Sequence, residues 1–164
     1  MPSPYEPPIF TFEQLVGVGL ECVKRLKPNF SPSIEIAGDN INITSMLTYF
    51  SDIFYVIFNN IEEYSGIRNP NVKVQCSIQG EVMDIHVTNE ISTSAKTGPS
   101  IERVEEAKIL IESGEYRRRV SEEELSGFSK VKNLIGESHI LKFDFDDNLS
   151  FSVNFTTSFN RAPQ

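Results

Sequence analysis

The chain has 164 residues, enough for one domain that buries roughly 68–70% of its unfolded surface. Hydrophobic residues make up 39% and charged residues 23%, which excludes wholesale disorder. Lys plus Arg is 15 against 23 for Asp plus Glu, a net charge of −8, and such a field repels a phosphate backbone, so nucleic acid is excluded as a natural partner. No apolar run reaches the roughly 18 residues that cross a bilayer, so membrane insertion is not expected. The first ten residues lack a basic region followed by an apolar core, so no secretory signal is expected. Cys22 and Cys76 are the two cysteines, which reads as free thiols in a reducing, cytoplasmic setting rather than a disulfide scaffold.

Residues 1–10 carry four of the nine prolines and read as an extended arm or linker stump. Thr11 and Gln14 form a capping box ahead of a helix with Phe12, Leu15, Val16, Leu20, Val23 and Leu26 at mostly helical spacing. Gly17 and Gly19 weaken it, and Pro28 stops it. Ser33–Ala37 and 40–43 read as two short strands joined as a hairpin at Gly38-Asp39. Leu47, Phe50, Phe54, Ile57, Ile61 and Tyr64 then alternate spacings of three and four, the clearest helical stripe in the chain. Ser45 is its expected N-cap, and Gly66 its left-handed C-terminal cap.

Val72–Ile78 and Val82–Val87 alternate apolar and polar around Gln79-Gly80, a second hairpin. Residues 89–100 read as a loop. Residues 100–113 read as an amphipathic helix with Ile101, Val104, Ala107 and Ile111 on one face. Ser121 and Glu124 form a capping box before Leu125, Phe128, Val131, Leu134 and Ile135, and Gly136 ends that helix. Residues 140–145 and 149–155 alternate around Asp147-Asn148 as a third hairpin, and 158–164 read as a frayed tail. Hairpins demand antiparallel pairing, and alternating strands leave one sheet face wet. The expected fold is therefore α+β: a two-layer sandwich over 11–157, a mostly antiparallel sheet covered on one face by helices.

At this point the residues resemble a family. Phe58-Asn59-Asn60-Ile61-Glu62-Glu63-Tyr64-Ser65 is similar to the N-box of the histidine-kinase-like ATPases, the GHKL superfamily with the Bergerat fold, where sensor kinases read N-L-L-x-N-A-x-K-Y-S. Residues 84–90, ending in Asn89-Glu90, resemble the strand entering the first glycine box, D-x-G-x-G. Gly127-Phe128-Ser129-Lys130-Val131-Lys132-Asn133-Leu134-Ile135 resembles G-L-S-I-V-K-x-L-V, the second glycine box. The element order matches over about residues 33–156.

The resemblance implies a nucleotide site with Asn60 holding Mg²⁺ on the phosphates, Asn89 on the adenine amino group, and Tyr64, Gly127 and Ser129 beside them. It also implies Mg²⁺-ATP as the cofactor, if any is held, and a place in a signalling protein. The departures are as informative. Val56 occupies the position where the hydrolysing branches carry a Glu general base and the kinases an Asn, and a valine can neither accept a proton nor orient a water, so no catalytic residue is assigned. Asn89 replaces a carboxylate, Ile91 and Thr93 replace glycines, and Glu122-Glu123-Glu124 stands where a glycine-rich lid would meet phosphate.

Each of these residues has a plainer reading. Asn60 can be a boundary residue of the apolar stripe, Asn89 a strand-end turn residue, and Gly127 a point of close helix packing. Glu122–Glu124 can be a solvated first helical turn, and Arg117-Arg118-Arg119 a solvent-facing basic run rather than a phosphate clamp. His86 and His139 lack a third ligand for a metal. The expectation is a degenerate, non-catalytic module that works with another protein or with other domains of its own polypeptide, including a second copy as a homodimer. A working Mg²⁺-ATP-binding phosphotransferase or weak ATPase domain is the alternative.

Overall fold

Five phenylalanines, Phe12, Phe50, Phe54, Phe58 and Phe155, are fully buried and form the centre of the molecule. Each such side chain contributes about 1.5–3 kcal/mol on burial. The computed structural model describes residues 6–117, 127–146 and 148–163. Its elements run β1 (Ile9–Thr11), α1 (Phe12–Leu26), β2 (Ser33–Gly38), β3 (Asn42–Thr44), α2 (Leu47–Tyr64), β4 (Asn71–Gln79), β5 (Val82–Glu90), α3 (Gly98–Glu112), a 3-10 turn (Glu115–Arg117), α4 (Phe128–Ile135), β6 (Leu141–Asp146) and β7 (Ser150–Ser158).

The main sheet has five strands in the order β2-β4-β5-β7-β6, with β2 parallel to β4 and the other pairs antiparallel. Period-2 alternation puts Val72, Val74 and Cys76 of β4 and Met83, Ile85 and Val87 of β5 on the buried face. Helices cover that face. Phe54 of α2 meets Phe12 of α1 edge-on at 5.9 Å and Phe155 of β7 at 6.3 Å, tying both layers together. The two-layer α+β sandwich expected from the sequence is the fold observed.

The helical stripe of α2 is buried from Phe50 to Ile61 and half-buried at Leu47 and Tyr64, and Gly66 follows it with φ +73°. The Thr11–Gln14 capping box of α1 is formed in both directions. Both later hairpins also form, β4–β5 and β6–β7. Among the described residues, no helix is long and apolar enough to cross a membrane.

Several local expectations are corrected. Gly38-Asp39 is not a hairpin turn: β2 pairs with β4, while β3 pairs with β1 in a separate two-stranded ribbon. Gly38 has φ +90° and lies so close to the Cys76 carbonyl that a Cβ would overlap it. Asp39 then donates its amide to Cys76 O at 2.9 Å, and its carboxylate accepts from Ile78 N at 3.1 Å. The pair of residues fastens the chain to β4 instead of reversing it.

Ser45 does not cap α2. Met46 occupies the N-cap without a side-chain bond, and Ser45 sits at φ +63° where the ribbon hands the chain to the helix. α3 begins at Gly98, because Pro99 is tolerated in a first turn and Thr97 Oγ1 accepts from Ser100 N at 3.3 Å. Its buried residues are Ala107 and Leu110, whereas Ile101 is exposed. The Ser121–Glu124 capping box, Leu125 and Asp147 lie outside the described residues.

The tail expected to fray is docked. Phe159 and Ala162 are buried, Asn160 O accepts from Thr44 N at 2.9 Å, and Ala162 N donates to Asn42 O at 3.0 Å. The Pro-rich arm is likewise shorter than expected, since Ile9 and Phe10 already pair with β3.

Candidate functional site

The last turn of α2 and the end of β5 converge because both belong to the layer interface: α2 lies across the sheet, and Asn89 faces the same buried side as Val87. Asn60, Tyr64 and Asn89 line one cavity of about 60 Å³. Its other walls are mostly carbon, from Ile57, Ile91, Phe128, Phe143 and Val153. Asn60 is 9% exposed and Asn89 is 4% exposed, so two amide side chains reach an otherwise apolar chamber. The Asn89 Nδ2 donates to Glu90 O at 3.0 Å, and Glu90 in turn accepts from Asn71 N at 2.7 Å.

Tyr64 and Arg103 form the half-buried rim. The Arg103 guanidinium carbon lies 4.0 Å from the Tyr64 ring centroid, a cation–π contact, and Arg103 also donates to Ser100 Oγ at 3.4 Å. Burial pushes the Tyr64 hydroxyl above its usual pKa, and Glu63 adds to this while Arg103 opposes it. Arg103 was not singled out by sequence. Its signal, one of two cations on a helix rich in glutamate, is indistinguishable from an ordinary solvated charge until α3 is folded against α2. Ser65, buried behind Tyr64, accepts from Ile67 N at 3.2 Å, and its carbonyl accepts from Ser92 N at 2.8 Å. These bonds pin the loop after β5 onto the end of α2.

Ile91, at a position where the family resembled has glycine, is buried in the cavity wall, and its amide donates to Leu149 O at 2.9 Å. Thr93 is exposed. Gly127 has φ +74° and forms the N-cap of α4, and a Cβ placed on it would stand 2.9 Å from Val56 Cγ1. Thus Val56 and Gly127 touch each other. Ser129 is half-buried on α4 and is not among the residues lining the cavity.

Of the predicted residues, three meet in the cavity, while Gly127 packs on Val56 and is not among the residues lining it. Glu122–Glu124, Arg118 and Arg119 lie outside the described residues. Arg117 is paired with Glu137. His86 is exposed on the wet sheet face, and His139 engages Thr156 at 3.3 Å and Ser158 at 3.0 Å. Among the described residues, no group of three or more His, Cys, Asp or Glu could hold a metal ion.

A mixed sheet under a long helix that carries an asparagine at its inner end, with a second asparagine opposite on a strand terminus, defines a histidine-kinase-like ATPase domain. The family model described as "y4jQ C-terminal putative histidine kinase domain" matches residues 11–158, and the chain belongs to that family. No curated protein matches the chain.

Among solved structures, it is similar to the nucleotide-free catalytic domain of the histidine kinase ThkA. The TM-score is 0.61 at 12% identity, over 94% of this chain and 97% of that one. It is similar also to the mycobacterial sensor histidine kinase MprB, with TM-score 0.59 and 12% identity over 95% and 99% of the two chains. Full-length ShkA in complex with AMPPNP matches 99% of this chain but 33% of its own, with TM-score 0.60 and 13% identity. In ShkA, the fold is one part of a larger protein. At these identities the likeness is one of backbone architecture.

Proposed function

We propose that this chain is a non-catalytic module of the histidine-kinase family, a regulatory or protein-interaction domain that keeps the fold without turning over nucleotide. The observation that carries this reading is the contact between Val56 and Gly127. In the family resembled, the first position holds a Glu general base in the hydrolysing branches and an Asn in the kinases, and the second opens a phosphate loop. Here the two are packed together through carbon, with no proton acceptor between them.

The residues present do not fit Mg²⁺-ATP well. The chamber holds about 60 Å³, well below the about 150 Å³ of an apolar cavity that takes up benzene. Ile91 fills the side where a glycine would admit the base. Arg103 is the sole Lys or Arg among the described lining residues, too little to balance a triphosphate. The partner of such a module is another protein or another domain of its own polypeptide, with a second copy of the chain as one form.

Calorimetric titration with Mg²⁺-ATP tests the proposal, together with thermal denaturation in excess nucleotide. Absence of heat and an unchanged Tm are expected. Binding with 100-fold excess over Kd would add about 2.7 kcal/mol of stability and overturn the reading. One observation favours the alternative, a nucleotide-binding catalytic domain: Asn60 and Asn89 line the same cavity, as the resemblance requires. Under that alternative, Asn60→Ala abolishes Mg²⁺-dependent affinity while the fold survives.

A further inference from the structure

The cavity beneath α3 combines two features that point to a ligand of a different kind. Its floor is apolar and buried, formed by Ile57, Phe128, Phe143 and Val153. Among the described lining residues, Arg103 is the one cation. Its guanidinium carbon lies over the Tyr64 ring, 4.0 Å from the centroid, and it donates to Ser100 Oγ at 3.4 Å. Among the described residues, Arg103 makes no ion pair with a carboxylate.

We infer that this cavity is a receptor for a small apolar monocarboxylate. Its hydrocarbon body would lie on the phenylalanine floor and its carboxylate against Arg103 and Ser100. The inference rests on the reading above in one respect: nucleotide does not claim the same space. A guanidinium presents paired N–H groups that match a carboxylate bidentately, and stacking on Tyr64 pre-organises that fork. A single cation balances a monoanion and leaves a phosphate dianion under-neutralised. The volume selects the body. At about 60 Å³ the chamber limits the body to a short hydrocarbon chain, such as the three carbons of butyrate, with the carboxylate left at the rim.

Thermal denaturation of the intact chain tests this with acetate, propionate, butyrate, octanoate and benzoate at matched ionic strength. Butanol and butylammonium serve as isosteres without the negative charge. Saturable stabilisation is expected, with affinity rising about fourfold per methylene up to butyrate and falling for octanoate and benzoate. Butanol and butylammonium should leave Tm unmoved. Arg103→Met, which keeps the apolar stem, should erase the preference for butyrate over butanol. Ala95→Leu, at a lining position, should weaken butyrate at unchanged charge preference. Ligand-to-ring nuclear Overhauser contacts from butyrate to phenylalanine protons give a readout independent of stability.

Equal effects of butyrate and butanol, unchanged selectivity in Arg103→Met, or absence of ring contacts would each overturn the inference. A Mg²⁺-ATP arm separates the two readings. Stabilisation by nucleotide overturns the proposed non-catalytic role alone, while failure of every carboxylate with nucleotide also inert overturns this inference alone.

Discussion

Val56 Cγ1 stands 2.9 Å from where a Cβ on Gly127 would lie, so the glycine that opens α4 is a packing requirement of the valine on α2. The left-handed backbone of Gly127, φ +74°, reinforces the demand. Gly127→Ala is therefore expected to cost about 1–2 kcal/mol through backbone strain, plus about 1 kcal/mol through overpacking. Val56→Ala should relieve the second part but not the first. Chemical denaturation of the two single variants and the double variant checks this. A coupling below about 0.5 kcal/mol would show that the contact is not felt.

Placing an acid at position 56, as in the hydrolysing branches of the family resembled, should not create hydrolysis. Val56→Glu places a carboxylate in a half-buried site against Gly127, at a cost of about 1–3 kcal/mol. No phosphate release from ATP is expected, because Ile91 and the small chamber are unchanged. A phosphate-release assay that detected turnover above the parent would contradict the proposed role.

The two thiols should behave differently. Cys22 is exposed and Cys76 is buried, and burial, aided by Asp39 and Asp84, pushes the Cys76 thiol up to about 12. An aromatic disulfide reagent should label one thiol quickly in the native protein and the second only on unfolding. The raised value also has a sign for stability. Between the unfolded value of 9.0 and about 12, the folded chain keeps a proton that the unfolded chain loses, so stability falls as pH rises through that window. Cys76→Val should flatten that part of the alkaline profile, measured by denaturation across the window.

The docked tail yields a fourth expectation. Phe159 is 6% exposed, and truncating it to alanine should cost about 3 kcal/mol. Deleting 159–164 should cost at least as much, since it also leaves Thr44 N and Asn42 O without the partners they have in Asn160 and Ala162. A truncated chain with unchanged Tm would show that the tail is dispensable.

Local patterns determined a good part of this protein. The spacing of Leu47, Phe50, Phe54, Ile57, Ile61 and Tyr64 contains the helix and its buried face, and strict alternation contains β4, β5 and β7. The asparagines at 60 and 89 could be nominated because their neighbours resemble a known order of motifs. These features are legible because period and capping act between residues a few positions apart.

Tertiary structure alone decided the rest. The alternation of Ile34 and Ile36 is equally compatible with a hairpin and with parallel pairing to β4, and only the later strand resolves it. The tail reads as polar and loose until β3 offers it hydrogen bonds and the core offers Phe159 a place. Arg103 becomes a roof over Tyr64, and Val56 a neighbour of Gly127, only when α3 and α4 fold back against α2. Such contacts join residues far apart in the chain. Their free energy depends on the shape of the assembled layers, which no short window of sequence contains.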